Sequence, residues 1–207
     1  MTTLFLARHG QTIWHAENRF AGSSDIPLSA TGEAQARGLA AWAGAKNIEA
    51  VIASPLIRAR DTAMPAAARL GLPLATDLRL RESDFGTAEG LTMAELRHRA
   101  PETADAFIAN PAANPWPGGE APETVAARAI AALRDAAAAQ KPTLIVAHST
   151  LLRLTLCKLL GIPLSEYRRR LPELRNAAVT TIELGPDGVA LIDYNVPVAP
   201  PALEPQA

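Results

Sequence analysis

Short apolar runs that end abruptly in polar residues are the main pattern along this chain. Residues 4–7, 50–53 and 144–147 are each four apolar residues long, which predicts buried strands rather than amphipathic helices. Helical patterns follow two of these runs, at residues 56–70 and 151–160. Strands that alternate with helices indicate an α/β protein, and we expect the strands to be parallel neighbours in one sheet.

The remaining pattern supplies further helices, an irregular loop and a hairpin. A glycine pair and four prolines between residues 110 and 122 exclude regular structure there, so we expect a loop at the rim of the substrate entrance. Residues 196–207 contain four prolines and little apolar surface, which predicts a disordered tail after a single domain at 1–195. The other predicted elements are helices at 31–45 with a cap at Thr31, at 92–99, at 102–109 and from 122 to about 139, a strand at 72–76, and edge strands at 179–184 and 189–194.

Composition narrows the class of protein. A chain of 207 residues with 48% hydrophobic residues suits one domain with a sizeable core. The formal net charge of −1 provides no field that would recruit nucleic acid or a membrane. The first apolar run stops at Arg8 and does not resemble a signal peptide, so we expect a cytoplasmic protein. Cys157 lies among leucines, which favours a buried apolar role.

Cationic and imidazole side chains follow the three predicted strands. Arg8 and His9 come directly after the first run, Arg58 lies in the helix after the second, and His148 follows the third. The carboxyl ends of parallel strands meet at one edge of a sheet, so these four side chains are expected to converge. Two arginines, two histidines and the nearby helix N-termini favour concentrated negative charge. The sequence therefore predicts an oxyanion site.

A metal site is the alternative use of the histidines. The chain has four of them, His9, His15, His98 and His148. They show no compact ligand spacing and no HExxH pattern, and the chain has a single cysteine. We therefore predict no metal and no cofactor.

Several separated motifs resemble those of the histidine phosphatase superfamily, also called phosphoglycerate-mutase-like, and in particular its phosphatase branch. The resemblance runs from about residue 4 to residue 193 and follows the family's order. It implies a three-layer α/β/α sandwich with a mostly parallel central sheet. The matching segments are Arg8-His9-Gly10-Gln11-Thr12, Asn18-Arg19-Phe20-Ala21-Gly22, Ser54-Pro55-Leu56 with Arg58, Leu80-Arg81-Glu82, Pro117-Gly118-Gly119-Glu120 and Val146-Ala147-His148.

Chemical reasoning and the resemblance assign the same roles to five residues. A neutral His9 attacks phosphorus, while Arg8, Arg58 and His148, the last as a cation or a hydrogen-bond donor, stabilise the phosphoryl oxygens. Glu82 protonates the leaving oxygen and then activates water. Its loop is partly apolar, so desolvation and the substrate charge are expected to raise the pKa of its carboxyl group.

Other residues are candidates for secondary roles. Asp84 is a rival proton donor, with turn formation or pairing to an arginine as its alternative role. His15 stands where the family usually has an Asn that contacts the phosphoryl group, and this imidazole would either add charge or change substrate preference. Ser149 stands where the family usually has Gly. The full set of pocket-wall candidates is Thr12, His15, Ala21, Gly22 and Ser149.

The resemblance leaves three functions open. The first is a metal-independent phosphatase that hydrolyses a small phosphorylated metabolite through a phosphohistidine. The second is a cofactor-dependent mutase. Against it, Met93 and Phe85 stand where mutases carry Lys and Tyr, and residues 110–116 contain no basic residue. The third is a non-catalytic binding module, which would be expected to lack His9 or Glu82.

The phosphorylated metabolite is the expected partner, and a homodimer is left open. Residues 168–170, all arginine, are predicted to be solvated.

Overall fold

A computed structural model of the protein describes residues 1–198, and within this range the chain forms one central sheet. The strand order is β3-β2-β4-β1-β5-β6. β1 to β4 pair in parallel, whereas β5 pairs antiparallel with β1, and β6 pairs antiparallel with β5. The strands are β1 (Thr2–Arg8), β2 (Ala50–Ala53), β3 (Leu74–Thr76), β4 (Thr143–Ala147), β5 (Val179–Gly185) and β6 (Gly188–Val196).

Helices cover both faces of the sheet and confirm the three-layer α/β/α prediction. Helices α1 and α2 pack together over one face, and α5 and α6 pack together over the other. Successive side chains of β1 point to opposite faces of the sheet and pack into two separate cores. Leu4 and Leu6 pack on the α5–α6 side, and Ala7 packs on the α1–α2 side. The helices are α1 (Ala30–Ala43), α2 (Ile57–Leu70), α3 (Met93–Arg99), α4 (Pro101–Ala109), α5 (Pro122–Ala138), α6 (Ser149–Leu159) and α7 (Tyr167–Arg170).

Three details of the sequence prediction are wrong. The N-cap of α1 is Ser29, whose hydroxyl accepts the Gly32 N–H, and not Thr31. β5 is an interior strand because β6 covers its outer side. β6 continues to Val196, and Val198 packs against the α1–α2 core, so the packed chain extends beyond residue 195. The rest of the predicted disordered tail, residues 199–207, lies outside the described residues.

A third, smaller core holds α3, α4 and the proline-rich loop together. Trp116 of that loop is 3% exposed, and its ring centroid lies 4.8 Å from that of Phe107 and 5.9 Å from that of Phe20. This aromatic cluster anchors the proline-rich loop to the rest of the domain.

The register of the parallel strands places their carboxyl ends side by side. Arg8 of β1 is paired with Ala147 of β4, and Ala53 of β2 is paired with Val146. The polar residues that follow these three strands therefore start from one edge of the sheet. Cys157 is fully buried in the α5–α6 core. Within residues 1–198, we find no helix with the length and hydropathy needed to span a bilayer.

Candidate active site

The structure brings His9 and His148 together at this edge. Their ring centroids are 5.2 Å apart, and the ends of the neighbouring parallel strands β1 and β4 carry them. Arg8 and Arg58 lie close enough to both rings for their charges to lower the pKa of each histidine. The four side chains that the sequence predicted to converge are thus assembled in one place.

The hydrogen bonds of His9 determine its tautomer. Nδ1 lies 2.7 Å from the carbonyl oxygen of Gly10, and a carbonyl can only accept, so Nδ1 carries the proton. Nε2 therefore holds the free lone pair. Burial, together with Arg8 and Arg58, lowers the pKa of His9 well below its ordinary value of 6.5. His9 is consequently a neutral imidazole with one nucleophilic nitrogen.

The backbone around His9 is held from three sides. The Gly10 N–H donates to Thr62 Oγ1 at 2.8 Å, and the amide of Asn176 donates to the His9 carbonyl at 2.8 Å. A Cβ at Gly10 would lie 2.7 Å from the backbone oxygen of Gly32. Gly10 is therefore required for close packing against α1.

Arg58 is fully buried and is clamped by a loop. Its guanidinium donates to the carbonyl oxygens of Ser24, Ala21 and Gly22 at 2.7–3.1 Å. The carboxylate of Glu89 holds the same loop by accepting the N–H groups of Gly22 and Ser24. Gly22 therefore positions Arg58 through its backbone, and it is absent from the cavity wall described below.

His15 and Arg8 form a direct hydrogen bond. Arg8 Nη2 lies 2.8 Å from His15 Nε2, and Arg8 Nη1 donates to the Leu174 carbonyl at 2.9 Å. A guanidinium can only donate, so His15 Nε2 accepts, and the ring proton lies on Nδ1, where it meets Thr12 Oγ1 at 2.8 Å. The Thr12 N–H also approaches the same Nδ1 at 3.0 Å, so the backbone and the side chain of Thr12 both hold this edge of the ring.

His15 therefore does not add positive charge, contrary to one of the two roles considered from the sequence. Burial, together with the charges of Arg8 and Arg58, lowers the pKa of His15 to about 4. A neutral imidazole at this position orients the Arg8 guanidinium instead.

Unpartnered polar atoms are concentrated in this group of residues. Within the described chain, both ring nitrogens of His148 and the Nε atoms of Arg8 and Arg58 are buried without a hydrogen-bond partner. Such atoms are costly in a protein interior unless a ligand satisfies them. Burial lowers the pKa of His148 well below 6.5, and the charges of Arg58 and His9 lower it as well. His148 is therefore neutral in this structure and is not the cation considered from the sequence.

Glu82 lies beside this group, but its environment differs from the apolar loop that the sequence suggested. Its carboxylate accepts the N–H groups of Thr150 at 3.0 Å, Leu151 at 2.9 Å and Ser83 at 2.9 Å. Two of these donors belong to the first turn of α6, where the helix dipole also favours negative charge. Burial lowers the pKa values of Arg8 and Arg58, and the negative charge of Glu82 partly offsets this by raising them.

Arg128 of α5 holds the Glu82 loop, a role for which the sequence carried no signal. Its guanidinium donates to the carbonyl oxygens of Arg79, Arg81 and Glu82 at 2.6–3.0 Å. Glu120 completes the arrangement by accepting two hydrogen bonds from Arg128 at 2.8 Å. The loop that carries the Pro-Gly-Gly-Glu motif thereby braces the proton-donor segment.

Asp84 occupies a different position from Glu82. It is exposed, and its carboxylate accepts the Gly86 N–H at 2.8 Å, which is a turn-forming contact. It does not line the cavity that contains His9. The geometry therefore favours Glu82 as the proton donor.

A cavity of about 370 Å³ opens over His9. Thr12, His15, Ala21 and Ser149 line it together with Arg8 and Glu82, whereas Arg58 and His148 are buried beside it. Its wall also contains three arginines that were not predicted from the sequence to belong to the site, namely Arg19, Arg153 and Arg168.

A second cavity, of about 650 Å³, borders the other side of Arg8 and Arg153. It is lined by neither His9 nor His148, so the smaller cavity is the candidate active site. Among residues 1–198 there is no cluster of three or more His, Cys, Asp or Glu side chains suited to hold a metal ion.

The comparisons with known proteins agree with this geometry. The family model of the histidine phosphatase superfamily (branch 1) matches residues 4–197. The chain is 34% identical to a probable phosphoglycerate mutase GpmB of Enterobacter sp. (strain 638), over 88% of this chain and 85% of that protein. It is 31% identical to the uncharacterized phosphatase PhoE of Bacillus subtilis (strain 168), over 95% of each chain.

Among solved structures, the chain is similar to a mycobacterial glucosyl-3-phosphoglycerate phosphatase in complex with VO3. The TM-score is 0.86 at 30% sequence identity, and the match covers 95% of this chain and all of the other. The family match spans residues 4–197 and so includes every predicted site residue.

Proposed function

Because the chain belongs to the histidine phosphatase superfamily (branch 1), we propose that it is a metal-independent phosphatase that hydrolyses a small phosphomonoester through a phosphohistidine on His9. The observation that carries the proposal is the locked tautomer of His9, which presents a free Nε2 beside two arginines and the Glu82 carboxylate. The superfamily and the relatives named above are phosphatases or phosphotransferases, which supports this class of enzyme.

In the first step, His9 Nε2 attacks phosphorus and the bond from phosphorus to the ester oxygen breaks. Arg8 and Arg58 stabilise the negative charge on the equatorial oxygens, as the metal ions of other phosphoryl-transfer enzymes do. His148 supplies further hydrogen bonding, since a phosphoryl dianion beside it favours the protonated imidazole. The leaving oxygen takes a proton from Glu82 and departs as an alcohol.

In the second step, the ionised Glu82 removes a proton from water as the water oxygen attacks the phosphohistidine. The P–N bond breaks, phosphate leaves, and His9 returns to its neutral form. The three N–H donors around Glu82 suit this step because they stabilise the carboxylate. For the first step, the negative charge of the bound substrate favours the protonated carboxyl group.

Mutase activity is a second candidate, favoured by the similarity to a probable phosphoglycerate mutase and by the additional arginines of the cavity wall. Those arginines weaken the sequence-based argument that cationic contacts are missing. We still expect hydrolysis to dominate, because the exposed residues Asn18 and Arg168 at the cavity wall leave water access to His9. Phosphate release should outpace interconversion of 3- and 2-phosphoglycerate even with bisphosphoglycerate present, and rapid interconversion with negligible release would favour the mutase.

The intermediate provides the direct test. A substrate labelled with ³²P is mixed with the enzyme, and turnover is stopped in alkaline detergent, where phosphohistidine is stable. We expect label on His9 that survives alkali and is lost in acid. His9→Ala should abolish both label and turnover, whereas His98→Ala, a change at an exposed helix residue, should affect neither. Label on Ser or Asp, or turnover by His9→Ala, would contradict the proposal.

A further inference from the structure

The cavity wall carries more positive charge than the phosphoryl group needs. Four arginines line the cavity, and Glu82 is the one carboxylate among its lining residues within the described chain. A phosphoryl dianion balances the charges of Arg8 and Arg58. Arg19 is already paired with Glu17 and Glu95. The other two lining arginines, Arg153 and Arg168, form no ion pair within residues 1–198.

Arg153 and Arg168 are held against the same aromatic ring. The guanidinium carbons lie 4.8 Å and 5.6 Å from the centroid of Tyr167, which is itself 3% exposed. Arg168 Nε also donates to the Tyr167 hydroxyl at 3.0 Å, and its guanidinium stacks 4.8 Å from the ring of Phe107. These contacts restrict both guanidinium groups before any ligand arrives, which reduces the entropy cost of binding an anion.

Neither arginine has an acidic partner among residues 1–198. The ion pairs of this part of the chain involve Arg169 and Arg170 with Glu166, but not Arg168 or Arg153. Arg153 donates a single long hydrogen bond, 3.3 Å to the Pro172 carbonyl, and its Nε is buried without a partner. Burial lowers the pKa of Arg153, and the charge of Arg168 acts in the same direction, whereas Tyr167 and Glu82 raise it. An anion bound in the cavity that both arginines line would stabilise these two restrained like charges.

We propose that Arg153 and Arg168 form a second anion subsite, so that the substrate is a phosphomonoester that carries a further oxyanion, either a carboxylate or a second phosphate. This inference rests on the proposed phosphatase function. The hydrolysed phosphoryl group lies at His9, and the second oxyanion lies against the two arginines that flank Tyr167. All three arginines of residues 168–170 are exposed, as the sequence predicted, but Arg168 also lines the cavity, whereas Arg169 and Arg170 pair with Glu166.

Matched substrate pairs test the subsite. 3-Phosphoglycerate and glycerol 3-phosphate differ by one carboxylate, and fructose 1,6-bisphosphate and fructose 6-phosphate differ by one phosphate. For the wild type, we expect kcat/KM to favour the more anionic member of at least one pair by roughly tenfold or more, as one charge-assisted contact implies. The pair that shows the preference identifies which oxyanion the subsite takes.

Charge-neutral variants connect that preference to the two arginines. Arg168→Gln and Arg153→Gln should each reduce the preference several-fold, by raising KM for the more anionic substrate more than for its partner. Arg169→Gln is the matched control, because it removes the same charge from the next residue, which is exposed and does not line the cavity. Thermal melts establish folding, and Arg168 is exposed enough for its variant to remain informative if Arg153→Gln is unstable.

The outcomes separate this inference from the proposed function. Suppose that the enzyme hydrolyses p-nitrophenyl phosphate but shows no preference in either pair, or shows a preference that both variants retain. Either result would contradict the proposed anion subsite without contradicting the proposed phosphatase activity. Failure to hydrolyse p-nitrophenyl phosphate or any member of the pairs would contradict the phosphatase itself.

Discussion

Removal of the His15 imidazole should weaken the site through Arg8. Arg8 is attached to the protein by two hydrogen bonds, one to His15 Nε2 at 2.8 Å and one to the Leu174 carbonyl at 2.9 Å. His15→Ala removes the first. A hydrogen bond with one charged partner contributes about 1.5–3 kcal/mol, which corresponds to a roughly 10- to 150-fold decrease in kcat/KM if it is lost in the transition state.

The conservative variant separates positioning from packing. Gln carries its amide oxygen at about the reach of Nε2, so His15→Gln should restore the acceptor for Arg8 and recover most of the activity. His15 is neutral at assay pH because burial lowers its pKa to about 4, so neither variant removes a charge from the site. His98→Ala, the loss of an imidazole on the exposed surface of α3, is the control.

The assay is kcat/KM for p-nitrophenyl phosphate at pH 7, with the inhibition constants for vanadate and phosphate as a second readout. Since Arg8 contacts the phosphoryl group in the proposed mechanism, His15→Ala should also weaken vanadate inhibition. Wild-type kcat/KM in His15→Ala, or equal losses in His15→Ala and His15→Gln with unchanged melting temperatures, would refute the positioning role.

Three further predictions follow from the same geometry. Glu82→Gln should reduce kcat/KM by about 10²–10⁴-fold for alkyl phosphates but far less for aryl phosphates with good leaving groups, which need no proton; equal losses in both classes would indicate a structural role. Activity should survive EDTA, because Arg8 and Arg58 provide the charge stabilisation, and loss that zinc or magnesium reverses would indicate a metal site. The pKa values of His9, His148 and His15 are lowered on folding, so below pH 6.5 the unfolded chain binds protons that the folded chain does not. Their contribution to stability is therefore complete above that pH and is lost on acidification, by at most about 1.4 kcal/mol per pH unit for each histidine. The urea midpoint should fall from pH 7 to pH 5.5 with a smaller slope in His148→Gln, and a constant midpoint would contradict the assignment.

Local patterns in the sequence determined the strands and the residues of the chemistry. Four-residue apolar runs bounded by Arg8, Ser54 and His148 mark the central strands, since a strand buried on both faces needs apolar side chains throughout. Parallel pairing then places the polar residues at one edge. The convergence of His9 and His148 could therefore be predicted without coordinates.

The environment of each site residue depended on contacts that no local pattern encodes. The carboxylate of Glu82 is bound by the N–H groups of Thr150 and Leu151, more than 60 residues away in the chain. A loop composition that appears apolar in sequence therefore becomes a polar binding site for this carboxylate. The three-dimensional fold also brings Arg128 of α5 against the same loop.

The charges of the site likewise emerged only from the tertiary structure. His15 is a hydrogen-bond acceptor because the fold places the donor-only guanidinium of Arg8 against it. Arg168 lines the cavity, whereas Arg169 pairs with Glu166 outside it, although the two residues are identical and adjacent in sequence. The ring of Tyr167, in the short helix α7, holds Arg168 at the cavity that His9 also lines. Sequence alone thus determined which groups are present, whereas packing decided their protonation, their partners and the direction in which each one points.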